Sequence, residues 1–341
     1  MATIKEVSHR AKVSPATVSR VLTGNAAVTS ATKLRVMTAV QDLGYRPNMF
    51  ARGLVTNRSH SIGVVVNDLS SPYFGVLLGG VEEAAEGAGM HLNVSSGHAR
   101  RGSERRAVEF LQQRHSDALI VYLEETPDEE IVSWAKLAPP LVVVGRYVAE
   151  LEEVSVHLDN ELGGFMATTH LLEHGHRRVA HITGPLWHQD SRARLAGYRR
   201  ALSEAGIAFD EQLVVEGDFQ EEGGQQAADR LWLRAPPGKG GVTAIFAAND
   251  QTAAGVLRSL RGRGVRVPAD VSLIGYDDII FARFLQPELT TVRQPLRAMG
   301  RAAAELALAA LRGGVSAPLG EVQRRFEPTL IRRSSVASVS R

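Results

Sequence analysis

The sequence predicts an α/β protein in which a small helix-turn-helix headpiece precedes a larger domain of two doubly wound, Rossmann-like lobes. Residues 1–60 show only helical periodicity, whereas short apolar runs alternate with amphipathic stretches of helical length from Ser61 onward. The chain has 341 residues, more than one hydrophobic core usually organises. These observations indicate at least two domains of different fold class.

Three helices are predicted in the headpiece. The first begins after Thr3, which forms a capping box with Glu6. The second begins after Ser14 and has Pro15 at its first position, where a missing N–H costs nothing. The third runs from about Ser30 to Leu43. Two short helices around a tight turn, braced by a third, are typical of a helix-turn-helix, whose second helix enters the major groove of DNA.

Formal charge is distributed unevenly along the chain. Residues 1–60 contain nine Lys or Arg against two acidic residues, a charge of +7, which leaves −5 for the rest of a chain whose net charge is +2. A cationic module on an anionic body is typical of a unit that binds a polyanion. An incidentally basic surface and a three-helix protein-binding module remain the alternatives.

The second helix presents polar residues outward. Val18, Val21 and Leu22 are spaced to face inward, so Ala16, Thr17, Ser19 and Arg20 face outward. Arg20 is the best base reader among them, because its planar fork matches the O6 and N7 atoms of guanine. Pro15 and Ala16 can offer only apolar contact. We therefore expect sequence-selective DNA binding by this helix.

A short connector follows the headpiece. Pro47 breaks the chain after the third helix, and Asn48–Leu54 can form barely two helical turns, with Gly53 inside them. Such a helix is expected to fold only when it pairs with a copy of itself or lies on DNA. Leu54 is then an apolar side chain without a core, of the kind that minor-groove binders insert between base steps.

The larger domain carries functional side chains at one predicted edge. In parallel α/β sheets, ligands bind beyond the carboxyl ends of the strands. Aromatic, carboxylate, amide and guanidinium side chains follow six predicted strands, and this mixture suits a hydroxyl-rich ligand. Taken singly, each has a simpler interpretation, such as a helix cap for Asp190. The set comprises Asp68, Tyr73, Phe74, Arg146, His188, Asp190, Arg194, Asp218, Phe219, Asn249, Asp250, Asp277 and Asp278, together with Gly145.

Several classes of chemistry are disfavoured. Without cysteine there is no disulfide framework and no thiol nucleophile. His170, His174 and His176 suggest zinc, but no further ligand has the proper spacing. Adjacent Asp277 and Asp278 would point apart on a strand, which argues against a paired acid/base site. No phosphate-loop pattern is present. We expect no metal, no cofactor and no catalytic residue.

The chain shows no export or membrane signal. Its N-terminus, MATIKEVSHRAKV, carries charges where a signal peptide needs an apolar segment. No apolar run approaches the roughly 20 residues that a membrane span requires. We expect a cytoplasmic protein without membrane contact.

Long motifs resemble one family. ATIKEVSHRAKVSPATVSRVLTG, followed by LGYRPNMFARGL, resembles the headpiece and hinge of the LacI/GalR family of bacterial transcription regulators. SSPYF, HGHRRVAHITGP, RLAGYRRAL, EGDF, AANDQTAAGVL, VSLIGYDD and PELTTVRQP resemble the effector domain of that family, which is itself similar to periplasmic sugar-binding proteins. The resemblance continues to about Arg333.

The resemblance implies a domain plan. The headpiece would be residues 1–46, the hinge and linker 47–60, and the effector domain 61–341. The chain would cross between lobes near residues 160, 290 and 323, so that the helix Leu296–Leu311 belongs to the first lobe. The first lobe would then hold about 61–160 and 291–322, and the second about 161–290 and 323–335.

The resemblance also implies partners and contacts. It implies a homodimer on a pseudo-palindromic operator of double-stranded DNA. Expected DNA contacts are Thr3, Ser14, Pro15, Ala16, Thr17, Ser19, Arg20, Asn25, Tyr45, Asn48, Ala51, Arg52 and Leu54. Expected effector contacts are Tyr73, Phe74, Arg146, His188, Asp190, Arg194, Phe219, Asn249 and Asp277.

The sequence therefore predicts an allosteric repressor whose small-molecule effector is a sugar or sugar derivative. A periplasmic solute-binding protein would share the larger domain, but it needs an export signal and no headpiece. A sugar-converting enzyme with an appended headpiece would need a nucleophile or an acid/base pair near the predicted edge. Turnover of a bound sugar would favour that enzyme.

Overall fold

The computed structural model describes residues 2–22, 28–45, 59–236, 241–313 and 321–339. The chain divides into two compact units, an N-terminal unit Met1–Ser59 and a C-terminal unit His60–Arg341. Within the described ranges, no helix combines the length and the apolarity that crossing a bilayer requires. Five of the predicted DNA contacts lie outside the described residues, namely Asn25, Asn48, Ala51, Arg52 and Leu54.

The N-terminal unit contains the three predicted helices, which are α1 (Ile4–Ala11), α2 (Pro15–Leu22) and α3 (Ser30–Asp42). The predicted capping box of α1 is present, because Glu6 N–H donates to Thr3 Oγ1 at 3.3 Å and Thr3 N–H donates to Glu6 Oε2 at 2.6 Å. Gly44 follows α3 with a φ of +59°, a conformation that favours glycine. The buried core of the unit consists of Val7, Ala11, Val18, Val21, Val36 and Ala39.

The C-terminal unit alternates strands and helices as predicted. Its first run is β1 (Ser61–Val66), α4 (Pro72–Gly87), β2 (His91–Ser96), α5 (Arg101–Gln113), β3 (Ala118–Val121), α6 (Asp128–Ala135), β4 (Leu141–Val144) and β5 (Ser155–Leu158). Its second run is α7 (Asn160–Glu173), β6 (Val179–Thr183), α8 (Gln189–Glu204), β7 (Val214–Glu216), α9 (Glu221–Arg234), β8 (Ala244–Ala247), α10 (Asp250–Gly262), β9 (Ser272–Asp277) and β10 (Thr290–Arg293). The chain then adds α11 (Leu296–Gly313), β11 (Arg325–Phe326) and β12 (Thr329–Ile331).

These strands form two six-stranded sheets, one in each lobe. The first lobe has the strand order β11-β5-β4-β3-β1-β2, and all of its pairings are parallel. The second lobe has the order β12-β10-β9-β8-β6-β7, in which β12 is antiparallel to β10. The central strands are buried on both faces, as expected for a parallel sheet covered by helices.

The chain passes three times between the sheets. The passages follow β5 and β10 and lie between β11 and β12. The third lies between Phe326 and Thr329, a few residues beyond the expected position 323, because Arg325 and Phe326 pair with His157 and Leu158. The strands β5 and β11 were not predicted from the sequence, because β5 contains polar residues and β11 is too short to form an apolar run.

In each lobe, two neighbouring helices pack closely because each has a glycine at the point of contact. A Cβ on Gly80 of α4 or Gly300 of α11 would collide with the backbone of the other helix, so α11 packs within the first lobe. A Cβ on Gly164 of α7 or Gly197 of α8 would collide in the same way in the second lobe. Gly80 and Gly164 therefore serve close helix packing, whereas Gly163 makes room for the ring of Tyr276.

A buried carboxylate anchors the loop after β3. Glu104 of α5 is almost fully buried, and its Oε1 accepts the N–H groups of Glu124 at 2.7 Å and of Glu125 at 3.2 Å. Its Oε2 accepts the N–H of Thr126 at 2.8 Å and the hydroxyl of Thr126 at 2.6 Å. Because these bonds are charge-assisted and shielded from water, the loop has a defined conformation.

We expect Glu104→Ala to lower the free energy of unfolding by about 3 kcal/mol, because it leaves several buried donors without an acceptor. Glu109→Ala is the matched control, since Glu109 lies on the same helix and is exposed. Urea denaturation of both variants and of the intact protein measures the difference. Equal losses for the two variants would contradict the anchoring role.

Candidate functional site

A cleft of about 320 Å³ lies between the carboxyl edges of the two sheets. The first lobe contributes residues that follow β1, β2 and β3, and the second lobe contributes residues that follow β6, β7, β8 and β9. Eight of the nine predicted effector contacts line this cleft, namely Tyr73, Phe74, His188, Asp190, Arg194, Phe219, Asn249 and Asp277. Their contact with an effector stays a prediction.

Arg194 of α8 is buried at the base of the cleft. Its Nε donates to Asn160 Oδ1 at 2.8 Å, and its Nη1 donates to the carbonyl of Ala248 at 2.7 Å. The guanidinium lies 3.7 Å from the centroid of the Tyr276 ring. Although burial lowers the pKa of Arg194, the nearby Tyr276, Asp277 and Asp190 raise it by more. The guanidinium is therefore held in one orientation, with its Nη2 3.8 Å from Oδ2 of Asp190.

Asp277 is a second buried charge of the cleft. It ends β9 with a φ of +104°, and its Oδ1 accepts the side-chain amide of Gln294 at 2.6 Å. Burial raises the pKa of Asp277 to about 7, with Arg194 and Gln294 opposing the rise and Asp190 adding to it. This carboxyl can therefore change its protonation state near neutral pH.

Phe219 and Asn249 form a coupled pair. Asn249 caps α10, since its Oδ1 accepts Thr252 N–H at 2.8 Å, while its Nδ2 donates to the carbonyl of Phe219 at 3.0 Å. Phe219 has a φ of +67°, and its ring covers Gly184, where a Cβ would collide with it. The amide of Asn249 thus supports the backbone that directs the Phe219 ring into the cleft.

Aromatic rings form the first-lobe side of the cleft. The rings of Tyr73, Phe74 and Tyr122 meet edge to face, with centroids 4.9 to 6.1 Å apart. The hydroxyl of Tyr73 donates to Gln294 Oε1 at 3.4 Å. Such rings offer faces on which an apolar ligand surface can stack.

His188 and Glu124 meet across the cleft. Nε2 of His188, in the second lobe, lies 3.0 Å from Oε1 of Glu124, in the first lobe, at ion-pairing distance. Nδ1 of His188 accepts the N–H of Asp190 at 3.2 Å and so caps α8. Burial lowers the pKa of His188, but the contact with Glu124 and the charge of Asp190 raise it by more, and the net shift is upward.

Arg146 is the one predicted effector contact that does not line the cleft. Its Nη1 donates to the carbonyls of Leu123 at 3.3 Å and Thr126 at 3.0 Å, and its Nη2 pairs with Asp128. It lines a separate cavity of about 110 Å³ instead. Arg146 follows β4 and so lies at the carboxyl edge of the sheet, as predicted. Its long side chain, however, turns toward the loop after β3.

Sequence reasoning missed ten of the residues that line the cleft, which are Asn67, Ser71, His98, Ala99, Tyr122, Glu124, Pro185, Trp187, Gln220 and Gln251. It also missed Gln294, which bonds Asp277. Tyr122 and Glu124 directly follow β3, so the carboxyl-end rule would have found them had it been applied to that strand. Trp187 lies in the loop before α8. Gln294 follows β10, a strand that was not predicted from the sequence because it contains no apolar run.

Residues considered for acid/base or metal chemistry make structural contacts instead. Asp278 pairs with Arg293 and Arg333, away from the Asp277 carboxyl that bonds Gln294. His176 bonds Thr243 and the carbonyl of Ala337 through its two ring nitrogens. Among the residues that the structure describes, no group of three or more His, Cys, Asp or Glu is arranged to hold a metal ion.

The candidate DNA-reading face is the outer side of α2. Ser14, Pro15, Ala16, Ser19 and Arg20 are exposed, whereas Val18 and Val21 are buried as predicted.

Two of the other expected DNA contacts are partly buried, and one has its hydroxyl in a helix cap. Thr17 is half-buried and its hydroxyl lies 2.9 Å from that of Ser14, while Tyr45 packs against the headpiece core. Thr3 is exposed, but its hydroxyl caps α1.

We expect Asp277→Asn to gain stability relative to the intact protein as the pH rises from about 4 to about 7. The folded protein retains the Asp277 proton up to a pKa of about 7, whereas the unfolded carboxyl loses it near its ordinary value of 3.8. This carboxyl therefore makes the folded state less stable as the pH rises through that window. Asparagine does not titrate and can still accept from Gln294.

Urea denaturation at about pH 5 and about pH 7 measures this difference. Asp218→Asn, which changes an exposed carboxylate of the same cleft, is the matched control. A difference between Asp277→Asn and the intact protein that is constant with pH would contradict the assignment.

Comparisons with known proteins match both units. Residues 3–48 match the model of the bacterial regulatory proteins of the lacI family, and residues 168–336 match a periplasmic binding protein-like domain. The HTH-type transcriptional regulator GalR of Escherichia coli (strain K12) is 39% identical over 340 residues, covering 100% of this chain and 97% of GalR. The HTH-type transcriptional repressor CytR of the same strain is 34% identical over 339 residues, covering 99% and 97%.

Two solved structures extend the similarity over nearly the whole chain. A complex of the transcriptional regulator CelR with cellobiose has a TM-score of 0.72 and 34% identity, and covers 98% of this chain and 100% of that one. The lac repressor dimer bound to operator and the anti-inducer ONPF has a TM-score of 0.85 and 27% identity, and covers 98% and 99%. The chain therefore belongs to the LacI family of bacterial transcription regulators, in which a DNA-binding helix-turn-helix unit precedes a periplasmic-binding-protein-like domain.

Proposed function

We propose that this chain is a transcriptional repressor whose affinity for an operator is controlled by a sugar or sugar derivative bound in the cleft. One observation carries the proposal: a single chain joins a basic helix-turn-helix unit with an exposed second helix to a domain with a polar and aromatic cleft between its two sheets. The full-length similarity to proteins named as transcriptional regulators and a transcriptional repressor supports it.

The DNA-binding half of the proposal rests on α2. Arg20 reads a guanine in the major groove, Ser14, Thr17 and Ser19 contact the duplex nearby, and Pro15 and Ala16 make apolar contacts. Thr3, Tyr45 and the connector residues add contacts outside the recognition helix. A homodimer would place two such helices on a pseudo-palindromic operator, and the similarity to a repressor solved as a dimer on its operator supports this.

The effector half of the proposal rests on the chemistry of the cleft. The faces of Phe219 and Tyr73 suit stacking against the apolar face of a sugar ring. Arg194, Asp190 and Asp277 offer charged donors and acceptors for hydroxyl groups. The similarity to a regulator solved with cellobiose supports a carbohydrate. Binding proceeds without turnover, so the sugar is recovered unchanged.

The two halves communicate through the connector, residues 47–60. Effector binding between the lobes changes how the first lobes pack in the dimer, and this decides whether two connector helices can pair on DNA. The coupling is reciprocal, so operator DNA must change the effector affinity by the same factor. Couplings of this kind amount to about 1–3 kcal/mol, or roughly 5- to 150-fold in affinity. The protein acts where its operator lies, in the cytoplasm.

We expect Arg20→Ala to weaken binding to the cognate operator by about 1–3 kcal/mol and to remove the preference for guanine at one position of each half-site. Gel-shift titrations on the operator and on variants of that position measure both effects. Arg10→Ala is the control, since Arg10 is a basic residue of α1 that pairs with Asp42. Unchanged base preference in Arg20→Ala would exclude Arg20 as the reader.

We expect Arg194→Lys to abolish the effector response while operator binding persists. Lysine keeps the positive charge but lacks the planar fork that holds Asn160, Ala248 and a ligand hydroxyl together. Operator affinity with and without effector measures the response, and thermal unfolding verifies the fold. Arg199→Lys, on the exposed side of the same helix, is the control. A normal response in Arg194→Lys would show that the effector binds elsewhere.

A further inference from the structure

The cleft and the second cavity share a wall. The second cavity, of about 110 Å³, lies beside the cleft between the loops that follow β3 and β4 and the start of α8. Four residues line both spaces, which are Tyr122, Glu124, Trp187 and His188. The two spaces are therefore neighbours divided by side chains.

The centre of this wall is the contact between Glu124 and His188, the partition pair. Their side chains are only 11% and 8% exposed, and the two facing atoms are 3.0 Å apart. One comes from each lobe, so the pair spans the space between them. No ligand group can pass between two side chains at this distance unless they move apart.

Neighbouring contacts hold each member of the partition pair in place. The backbone N–H of Glu124 is bound to the buried carboxylate of Glu104 at 2.7 Å. The ring of His188 accepts the N–H of Asp190 and packs edge to face against Phe219, with centroids 5.3 Å apart. Contacts within the protein therefore position both members of the pair.

Tyr122 and Trp187 form the two flanks of the wall, and Tyr122 is packed independently of the pair. The ring of Tyr122 occupies the space next to Gly145, where any Cβ would collide with it, and it packs against Phe74. Trp187 lies beside the His188 ring at 5.7 Å between centroids. Removing the partition pair would therefore open a passage beside the Tyr122 ring, which contacts outside the pair hold in position.

The second cavity is lined by groups that bind hydroxyls. Arg146 reaches it with a buried Nε that has no hydrogen-bond partner among the described residues. Gln189 closes another side by accepting Tyr147 N–H at 3.2 Å and donating to the Tyr147 carbonyl at 3.4 Å. Arg192 and Asp128 complete its polar lining. A buried donor without an acceptor is costly, and a ligand oxygen would satisfy it.

We propose that the partition pair of Glu124 and His188 determines effector size: it restricts the cleft to a single sugar ring and closes off the second cavity, which would otherwise take a second ring near Arg146. The inference rests on the proposed function. The cleft volume of about 320 Å³ is at the lower end of the roughly 300–1,000 Å³ of ligand pockets, which suits one ring. The partition pair also explains why Arg146, which lies at the same sheet edge as the other predicted effector contacts, is separated from them.

The double variant Glu124→Ser, His188→Ser tests this inference. Serine removes both halves of the partition and retains a hydroxyl that can cap α8. Glu124→Gln is the matched control, because it removes the charge and keeps the size. Thermal unfolding is followed with the monosaccharides glucose, galactose and ribose, and with the disaccharides cellobiose, lactose and melibiose, since a bound ligand raises the unfolding midpoint.

We expect a monosaccharide, and none of the disaccharides, to raise the midpoint of the intact protein and of Glu124→Gln. In the double variant at least one disaccharide should raise it. Adding Arg146→Ala to the double variant should then remove the disaccharide response without changing the midpoint shift by the monosaccharide.

The possible failures are distinguishable. If a disaccharide stabilises the intact protein as well as the best monosaccharide does, the inference is overturned while the proposed sugar effector stands. The same holds if the double variant unfolds cooperatively at a similar midpoint but still excludes disaccharides. If no sugar stabilises the intact protein, the sugar part of the proposed function fails and the inference falls with it.

Discussion

The buried guanidinium of Arg194 is the contact on which the cleft depends. It bonds the first residue of α7, Asn160, and the carbonyl of Ala248 at the end of β8, and it stacks on Tyr276 of β9. A charge removed from water is tolerable only when its donors are satisfied by fixed acceptors and neighbouring charges. Its position in turn requires α8 to approach α7 closely, which Gly164 and Gly197 allow. In the second lobe, the close packing of α7 and α8 therefore also fixes the position of the guanidinium in the cleft.

Both lobes contribute aromatic and charged groups to the cleft. The first lobe contributes an edge-to-face cluster of aromatic rings together with Glu124, and the second contributes the ring of Phe219 together with most of the charged groups. Burial is the largest cause of the raised pKa of Asp277. The pKa values of His188 and Arg194 are instead raised against the effect of burial, by Glu124 and Asp190 for His188 and by Tyr276, Asp277 and Asp190 for Arg194. A neutral ligand rich in hydroxyls could bond these groups without adding a charge of its own. Because the lining residues come from both lobes, neither lobe alone would form the site.

The carboxyl-end rule was effective because it depends on backbone topology. Alternating apolar runs indicate parallel strands, parallel strands bring their carboxyl ends to one edge, and residues such as Tyr73, Asp190 and Asn249 then had to lie there. The rule was less effective for side-chain direction. Arg146 sits at the correct edge, yet its guanidinium is drawn to Asp128 and to two carbonyls of the neighbouring loop. Long flexible side chains choose among several partners, and only the packed neighbours decide between them.

The amino-acid sequence by itself determined the helix borders of the headpiece, the α/β class of the larger domain and half of the residues that line the cleft, because caps, periodicity and strand order are local or topological properties. Tertiary structure alone decided the rest. It brought Glu124 and His188 together from two lobes, assigned Asn249 to hold Phe219, and raised the pKa of Asp277 by burial. These features depend on distances between segments remote in sequence, and on the exclusion of water there. No pattern within one segment encodes them.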